Sequence, residues 1–316
     1  DDQLDLGRAT QRLQFDLAIR RAVSPSQQPR QHARVPGHRP GAEQGNAPRW
    51  SFDQRPAPQH AEVGVAGTEQ QEVVVMVQTQ ASMAQNDVPL EKRIFGNNHY
   101  LRPNFIEFFE CSTILVKDVT IINAPFWILH PLKSNNIIID GVTVNSHGPN
   151  NDGCDPEYSQ NVLIKNCTFN TGDDCIAIKS GRDGDGRRVG IPSKNIIVQN
   201  CKMIDGHGGV VMGSEISAGV SNVFVENCIM DSPNLDRAIR IKTNSKRGGL
   251  TENVYVRNIE VGTVAESVLR ITMFYNIYGS QVGNFIPGIR NINLENIKVK
   301  NGGKYGILAD GYEESP

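Results

Sequence analysis

No apolar run in this 316-residue chain approaches the roughly 20 residues that a transmembrane helix needs. No membrane association is expected. The N-terminus lacks a basic-then-apolar leader, so either one has been removed or the true start is absent. An excess of one charge is missing too. The formal net charge is -2, which gives no general pull toward nucleic acid or a membrane surface. A sustained helical period is absent as well. What remains is 38% hydrophobic residues, enough for a large soluble core.

The first 80 residues lack lysine altogether and hold 13 Gln, whereas residues 81–316 hold only 4. Arg, Pro and Ala abound there, and no repeat can be read. Segment 1–84 therefore stands apart, as a polar disordered extension or, preferably, as text from a misread frame. A different pattern begins near Val88-Pro-Leu-Glu-Lys-Arg-Ile-Phe-Gly.

From residue 85 onward the chain repeats itself. Seven segments share one pattern: Thr113-Ile-Leu-Val-Lys-Asp-Val, Asn136-Ile-Ile-Ile-Asp-Gly-Val, Asn161-Val-Leu-Ile-Lys-Asn-Cys, Asn195-Ile-Ile-Val-Gln-Asn-Cys, Asn222-Val-Phe-Val-Glu-Asn-Cys, Asn253-Val-Tyr-Val-Arg-Asn-Ile and Asn291-Ile-Asn-Leu-Glu-Asn-Ile. Their starts lie 23, 25, 34, 27, 31 and 38 residues apart. Short β-branched runs broken by Asn, Gly or Asp are strand-and-turn chemistry. A unit of this length holds about three short strands, one coil of a parallel β-helix. The prediction is an all-β solenoid over 85–316, stopping mid-solenoid at Glu314-Ser315-Pro316.

Stacked coils predict columns. The seventh position reads Val119, Val142, Cys167, Cys201, Cys228, Ile259 and Ile297, all apolar and suited to an inward stack. Three of the six cysteines fall in this column, where Cys serves as a small hydrophobe. Free buried thiols are expected, rather than disulfides or a metal site. The sixth position is mostly Asn, which tolerates left-handed backbone and so marks a tight bend.

Four short clusters carry chemistry: Asn150-Asn151-Asp152, Gly172-Asp173-Asp174, Gly206-His207-Gly208 and Arg240-Ile241-Lys242. Aligning Thr171-Gly-Asp-Asp with Asp205-Gly-His-Gly sets Asp173 level with His207. Extending the alignment sets Asp236 in the same row and Lys179 level with Lys242. Coils stack at about 4.8 Å, so these groups become neighbours. Carboxylates that close cannot all ionise freely, so one keeps a proton and can give it to a leaving oxygen. Arg240 and Lys242 alternate with Ile239 and Ile241 on one strand face and suit an acidic ligand.

The stretches Gly148-Pro-Asn-Asn-Asp-Gly-Cys-Asp-Pro-Glu, Thr171-Gly-Asp-Asp-Cys-Ile-Ala-Ile-Lys-Ser-Gly, Asp205-Gly-His-Gly-Gly and Arg240-Ile-Lys resemble, in order, four signatures of glycoside hydrolase family 28, the polygalacturonase family. Asn151 stands where that family usually has Thr. The resemblance implies a right-handed parallel β-helix that hydrolyses α-1,4 galacturonosidic or related pectic links with inversion and with no metal or other cofactor. It implies Asp173 as general acid, Asp152 and Asp174 as holders of the water, and His207 as keeper of the acid's protonation state. It also implies a pectic polysaccharide or oligogalacturonide as partner, a monomer, and a secreted or periplasmic location. The insertion Gly181-Arg-Asp-Gly-Asp-Gly-Arg-Arg and the phrase Gly213-Ser-Glu-Ile-Ser resemble bacterial and plant members and favour exo action.

Asp155, Glu215, Arg270 and Tyr305 are further candidates for the site lining, with Tyr305 as a ring platform for sugar. Arg182, Arg187 and Arg188 either line the cleft or form a solvated loop. His147, near Asp152, reads as a residue supporting the site from behind or as a loop residue. The Asp-Gly-Asp-Gly run lacks the ligand spacing of a calcium loop. Rival readings are a calcium-dependent lyase on the same solenoid, a non-catalytic carbohydrate-binding solenoid, and a family member that has lost activity.

Overall fold

The computed structural model describes residues 13–15, 102–275 and 283–315. Segment 1–84 lies outside the described residues apart from Leu13–Phe15, which pairs antiparallel with Ile292–Leu294.

Residues 102–275 and 283–315 wind into a right-handed parallel β-helix, with three strand positions per coil. The first position runs through Ser112–Lys117, Asn135–Asp140, Gln160–Lys165, Ser193–Gln199, Val220–Glu226, Leu250–Thr263 and Gly288–Asn301, each parallel to the next. These are the seven segments read from the sequence. The period-2 pattern sends alternate residues inward. Ile137, Val162, Ile196, Val223 and Val254 lie in one register column and are buried completely. Burying each such side chain contributes about 1.5–3 kcal/mol. β-Branched residues suit this task because their stiff χ1 fits a pleated surface.

Asparagine makes the corners. Asn136, Asn161, Asn195, Asn222, Asn253 and Asn291 all have φ between 55° and 58°, and Asn166, Asn200, Asn227, Asn258 and Asn296 between 51° and 55°. Left-handed backbone is costly for most side chains, and Asn bears it best after Gly. Most of these side chains also bond the one below, as in Asn161 Nδ2 to Asn136 Oδ1 at 3.2 Å and Asn195 Nδ2 to Asn161 Oδ1 at 3.0 Å. The cysteine column is buried as expected: Cys167, Cys201 and Cys228 are each 1% exposed and free. Its outer members differ, since Val119 is exposed and Ile297 only partly buried.

The third strand position carries the chemistry-bearing segments. It runs through Ile106–Phe109, Leu129–Leu132, bridges at Cys154 and Glu157, then Ile176–Ile178, Val210–Gly213, Arg237–Lys242, Ser267–Thr272 and Tyr305–Asp310. The insertion after Ser180 forms a short helix, Asp183–Val189, ended by Gly190 at φ 65°. It leaves the register on either side intact.

Candidate active site

Parallel pairing of Ile176 with Val210 and of Val210 with Ile239 puts Asp173, His207 and Asp236 in one row, as the alignment predicted. His207 Nδ1 lies 3.2 Å from Asp173 Oδ1, and its backbone N–H donates to Asp173 O at 3.1 Å. The corner before Asp173 is tight. A Cβ on Gly172 would meet Gly148 O at 2.4 Å, so only glycine lets these two turns approach. Asp152 comes from the coil below. Gly153 N–H donates to Asp174 O, and one oxygen from each of Asp152, Asp173 and Asp174 falls within 4.8 Å of the others.

Each acid of this trio faces a different cation. Asp173 has His207, Asp152 has Lys179 Nζ at 3.5 Å, and Asp174 has Lys242 Nζ at 2.6 Å. A divalent ion among the three oxygens would meet these cations at once, so the donor set suits protons better than metal. The calcium hint in the insertion also resolves into ion pairs: Asp183 with Arg247 and Asp185 with Arg188.

Environment separates the carboxyls. Burial pushes Asp152 up to about 7; Lys179 opposes this, and Asp173 and Asp174 add to it. Burial would raise Asp173 too, but the hydrogen bond from His207 and the charges of Lys242 and Lys179 outweigh it and hold Asp173 at about 2. The same hydrogen bond raises His207 above its usual value. In the ligand-free protein the proton of the Asp173–His207 pair thus sits on the imidazole.

The cations differ in role. Lys242 is buried and faces Asp174. Burial lowers the Arg240 guanidinium, whose Nε has no hydrogen-bond partner and which makes no ion pair among the described residues. Tyr275 lies over both, with its ring centre 5.2 Å from the Arg240 guanidinium carbon and 5.1 Å from Lys242 Nζ. Lys179 is level with Gly213 and Lys242, as predicted. It is buried against Asp152, Asp155 at 3.3 Å, Glu215 at 3.6 Å and the Trp127 ring at 4.5 Å.

Asp155 and Glu215 therefore join the cluster through Lys179. Arg270 is level with Arg240 one coil on, but its guanidinium is engaged by Asp310 at 2.6 Å. Tyr305 stands apart from the acids, half exposed and in register with Ser267 and Arg237. Arg187 packs over the Phe285 ring at 3.5 Å and donates to Lys246 O and Arg247 O, fastening the insertion helix. Arg182 and Arg188 are exposed. His147 bonds Asn170 at 2.9 Å on the exposed corner. Trp127 and Tyr275 were not foreseen. Trp127 sits beside Ile128, whose N–H bonds Asp152 O, but no repeat position distinguishes it in the sequence.

The family described as glycosyl hydrolases family 28 matches residues 92–314. A probable polygalacturonase from Vitis vinifera is 34% identical over 214 residues, 65% of this chain and 42% of that protein. A hyperthermoactive exopolygalacturonase from Thermotoga maritima superposes with a TM-score of 0.64 at 42% identity, covering 80% of this chain and 55% of that one. A family 28 exopolygalacturonase from Yersinia enterocolitica superposes with a TM-score of 0.62 at 25% identity, covering 78% and 43%. The chain thus spans about half the length, or less, of these relatives. With the family profile matched across most of its length and the acids, imidazole and cations gathered on one β-helix face, this chain belongs to glycoside hydrolase family 28.

Proposed function

We propose that this chain is the core of a pectin-degrading glycosidase that hydrolyses α-1,4-galacturonosidic links by inverting acid/base chemistry. One observation carries the reading: His207 Nδ1 lies 3.2 Å from Asp173 Oδ1, beside two further carboxylates that each face a buried lysine. Asp173, fed by His207, protonates the leaving glycosidic oxygen. Asp152 and Asp174 hold the attacking water, and Asp152 takes its proton. Arg240, which has no acid of its own, grips the substrate carboxylate in a bidentate fork. Lys242 serves the same anion at longer range while holding Asp174. Tyr305 touches only sugars beyond those at the acids.

The names of the relatives support this substrate, and two of them are exopolygalacturonases, in keeping with exo action. A polymeric substrate supports work outside the cytoplasm. No helix among the described residues is long and apolar enough to cross a membrane. In this reading the catalytic unit is 85–316, acting as a monomer and without a cofactor.

The test is incubation with polygalacturonate and rhamnogalacturonan oligomers, following product size and anomeric form by proton NMR. The expected first product is a saturated uronate of inverted anomeric configuration. The anomer matters because oxygens within 4.8 Å stand nearer the ~5 Å carboxyl spacing of double-displacement enzymes than the ~6.5–9.5 Å of most inverting ones. Retention would overturn the water-holding role of Asp152 and Asp174. Unsaturated products lost in chelator would point to a lyase. Asp173→Asn should bind oligomers and lose nearly all turnover.

A further inference from the structure

Asp155 lies outside the catalytic trio, yet it is wholly buried beside it. Neither of its carboxyl oxygens has a hydrogen-bond donor of good geometry, and nor does Oδ1 of Asp152. The two acids share a single ammonium, Lys179, at 3.3 and 3.5 Å. Two buried carboxylates with one such cation and three oxygens lacking donors would be a costly arrangement. One proton between the carboxyls removes most of that cost, since a protonated carboxyl is a donor and a carboxylate only an acceptor.

We propose that Asp155 is a positioning residue: its carboxyl keeps a proton, donates it in a hydrogen bond to Asp152, and so fixes Asp152 as the carboxylate that faces the attacking water. The inference rests on the hydrolase reading for its kinetic consequence, but not for the proton itself.

The surroundings decide which acid keeps the proton. Lys179 is shared three ways, with Glu215 as its third acid, and Arg247 lies 3.7 Å beyond Glu215. His130, level with Asp155 on the coil below, spends both ring nitrogens on Glu107 and Glu157. Cys154 precedes Asp155 and is buried, with its thiol raised by burial. The charges of Asp173, Asp174 and Lys242 act on Asp152. No cation is therefore left for Asp155 alone. Burial and the neighbouring Asp152 raise it well above the carboxylate range, whereas Asp152 ionises at about 7. During turnover the water's proton ends on Asp152, and Asp155 retains its own.

Infrared difference spectra test the proton without substrate. At about pH 8, a unit above the point where Asp152 ionises, the parent should show a protonated-carboxyl absorption that Asp155→Asn lacks. Absence of that band overturns the proposal. Kinetics test the role. Asp155→Ala should lose about tenfold or more in kcat with KM little changed, and the acid limb of its pH profile should move upward. Asp155→Asn, whose amide can still donate to Asp152, should recover most of that loss and return the limb to its parental position. An Asn variant as impaired as the Ala variant, or an Ala variant as active as the parent, overturns it. If the Ala variant does not fold, the Asn variant and the spectra still decide. A parent that cleaves no pectic substrate defeats the hydrolase reading, and the infrared band alone then decides the state of Asp155.

Discussion

Replacing Lys242 by methionine separates two roles that ordinary activity measurements merge. The ammonium is 2.6 Å from Asp174 Oδ2, the lysine is 6% exposed and Asp174 is fully buried. The other oxygen of Asp174 has no hydrogen-bond partner. Lys242→Met keeps most of the apolar stem but strands a buried carboxylate. Breaking one partner of such a pair costs roughly 3–5 kcal/mol. For a folded unit of this size each kcal/mol lowers Tm by about 2–4 °C, so a drop of about 10 °C is expected. The double variant Lys242→Met/Asp174→Asn removes the stranded charge and should regain about half of that loss or more. Both proteins should be inactive, so the reading comes from thermal melts by circular dichroism and from urea titrations. A single variant that melts within about 2 °C of the parent, or a double variant no better than the single, would show that Lys242 is not the counter-ion of Asp174.

Three further outcomes are expected. The pH profile of kcat/KM should be a narrow bell, because Asp152 must lose a proton at about 7 while His207, raised by Asp173, must keep one; a plateau several units wide would contradict this. Asp152→Asn should be inactive yet more stable than the parent at alkaline pH. The folded-state value of Asp152 is raised, so its stabilising contribution is present below the unfolded value near 4 and is lost as pH rises through about 7. The gain should approach about 4 kcal/mol above pH 7 and shrink toward pH 5; urea titrations at both pH values read it. Asn166, at φ 55° and bonded to Asp140 Oδ1 at 2.7 Å, should cost about 2 kcal/mol as Ala and clearly less as Gly, since glycine loses the bond but bears the backbone; equal melts for the two would remove the left-handed bend from the account.

The winding was legible because it is written in one dimension. Asn at two fixed offsets in five of the seven segments marked bends that the structure places at positive φ, and Cys167, Cys201 and Cys228 fell where the column required. The rung alignment of Asp173 with His207 followed from the same register. Pair identity was not legible. Register places Lys179 and Lys242 level, but a sequence does not say which acid each reaches, because that depends on side-chain reach across coils. Arg270 and Arg240 are level too, and only the position of Asp310 separates an engaged guanidinium from an unengaged one. Tyr275 escaped notice because its place over the cations is set by a turn beyond the last paired residue, Thr272, where no repeat rule applies.

Between Lys179 and Ser193 the chain leaves the ladder, makes a helix, and rejoins it with Lys194 opposite Gln160 as though nothing had intervened. Such an architecture lets corners lengthen or shrink while the distances among the reacting groups stay put. On such a scaffold one corner can be rebuilt without shifting the residues stacked above and below it.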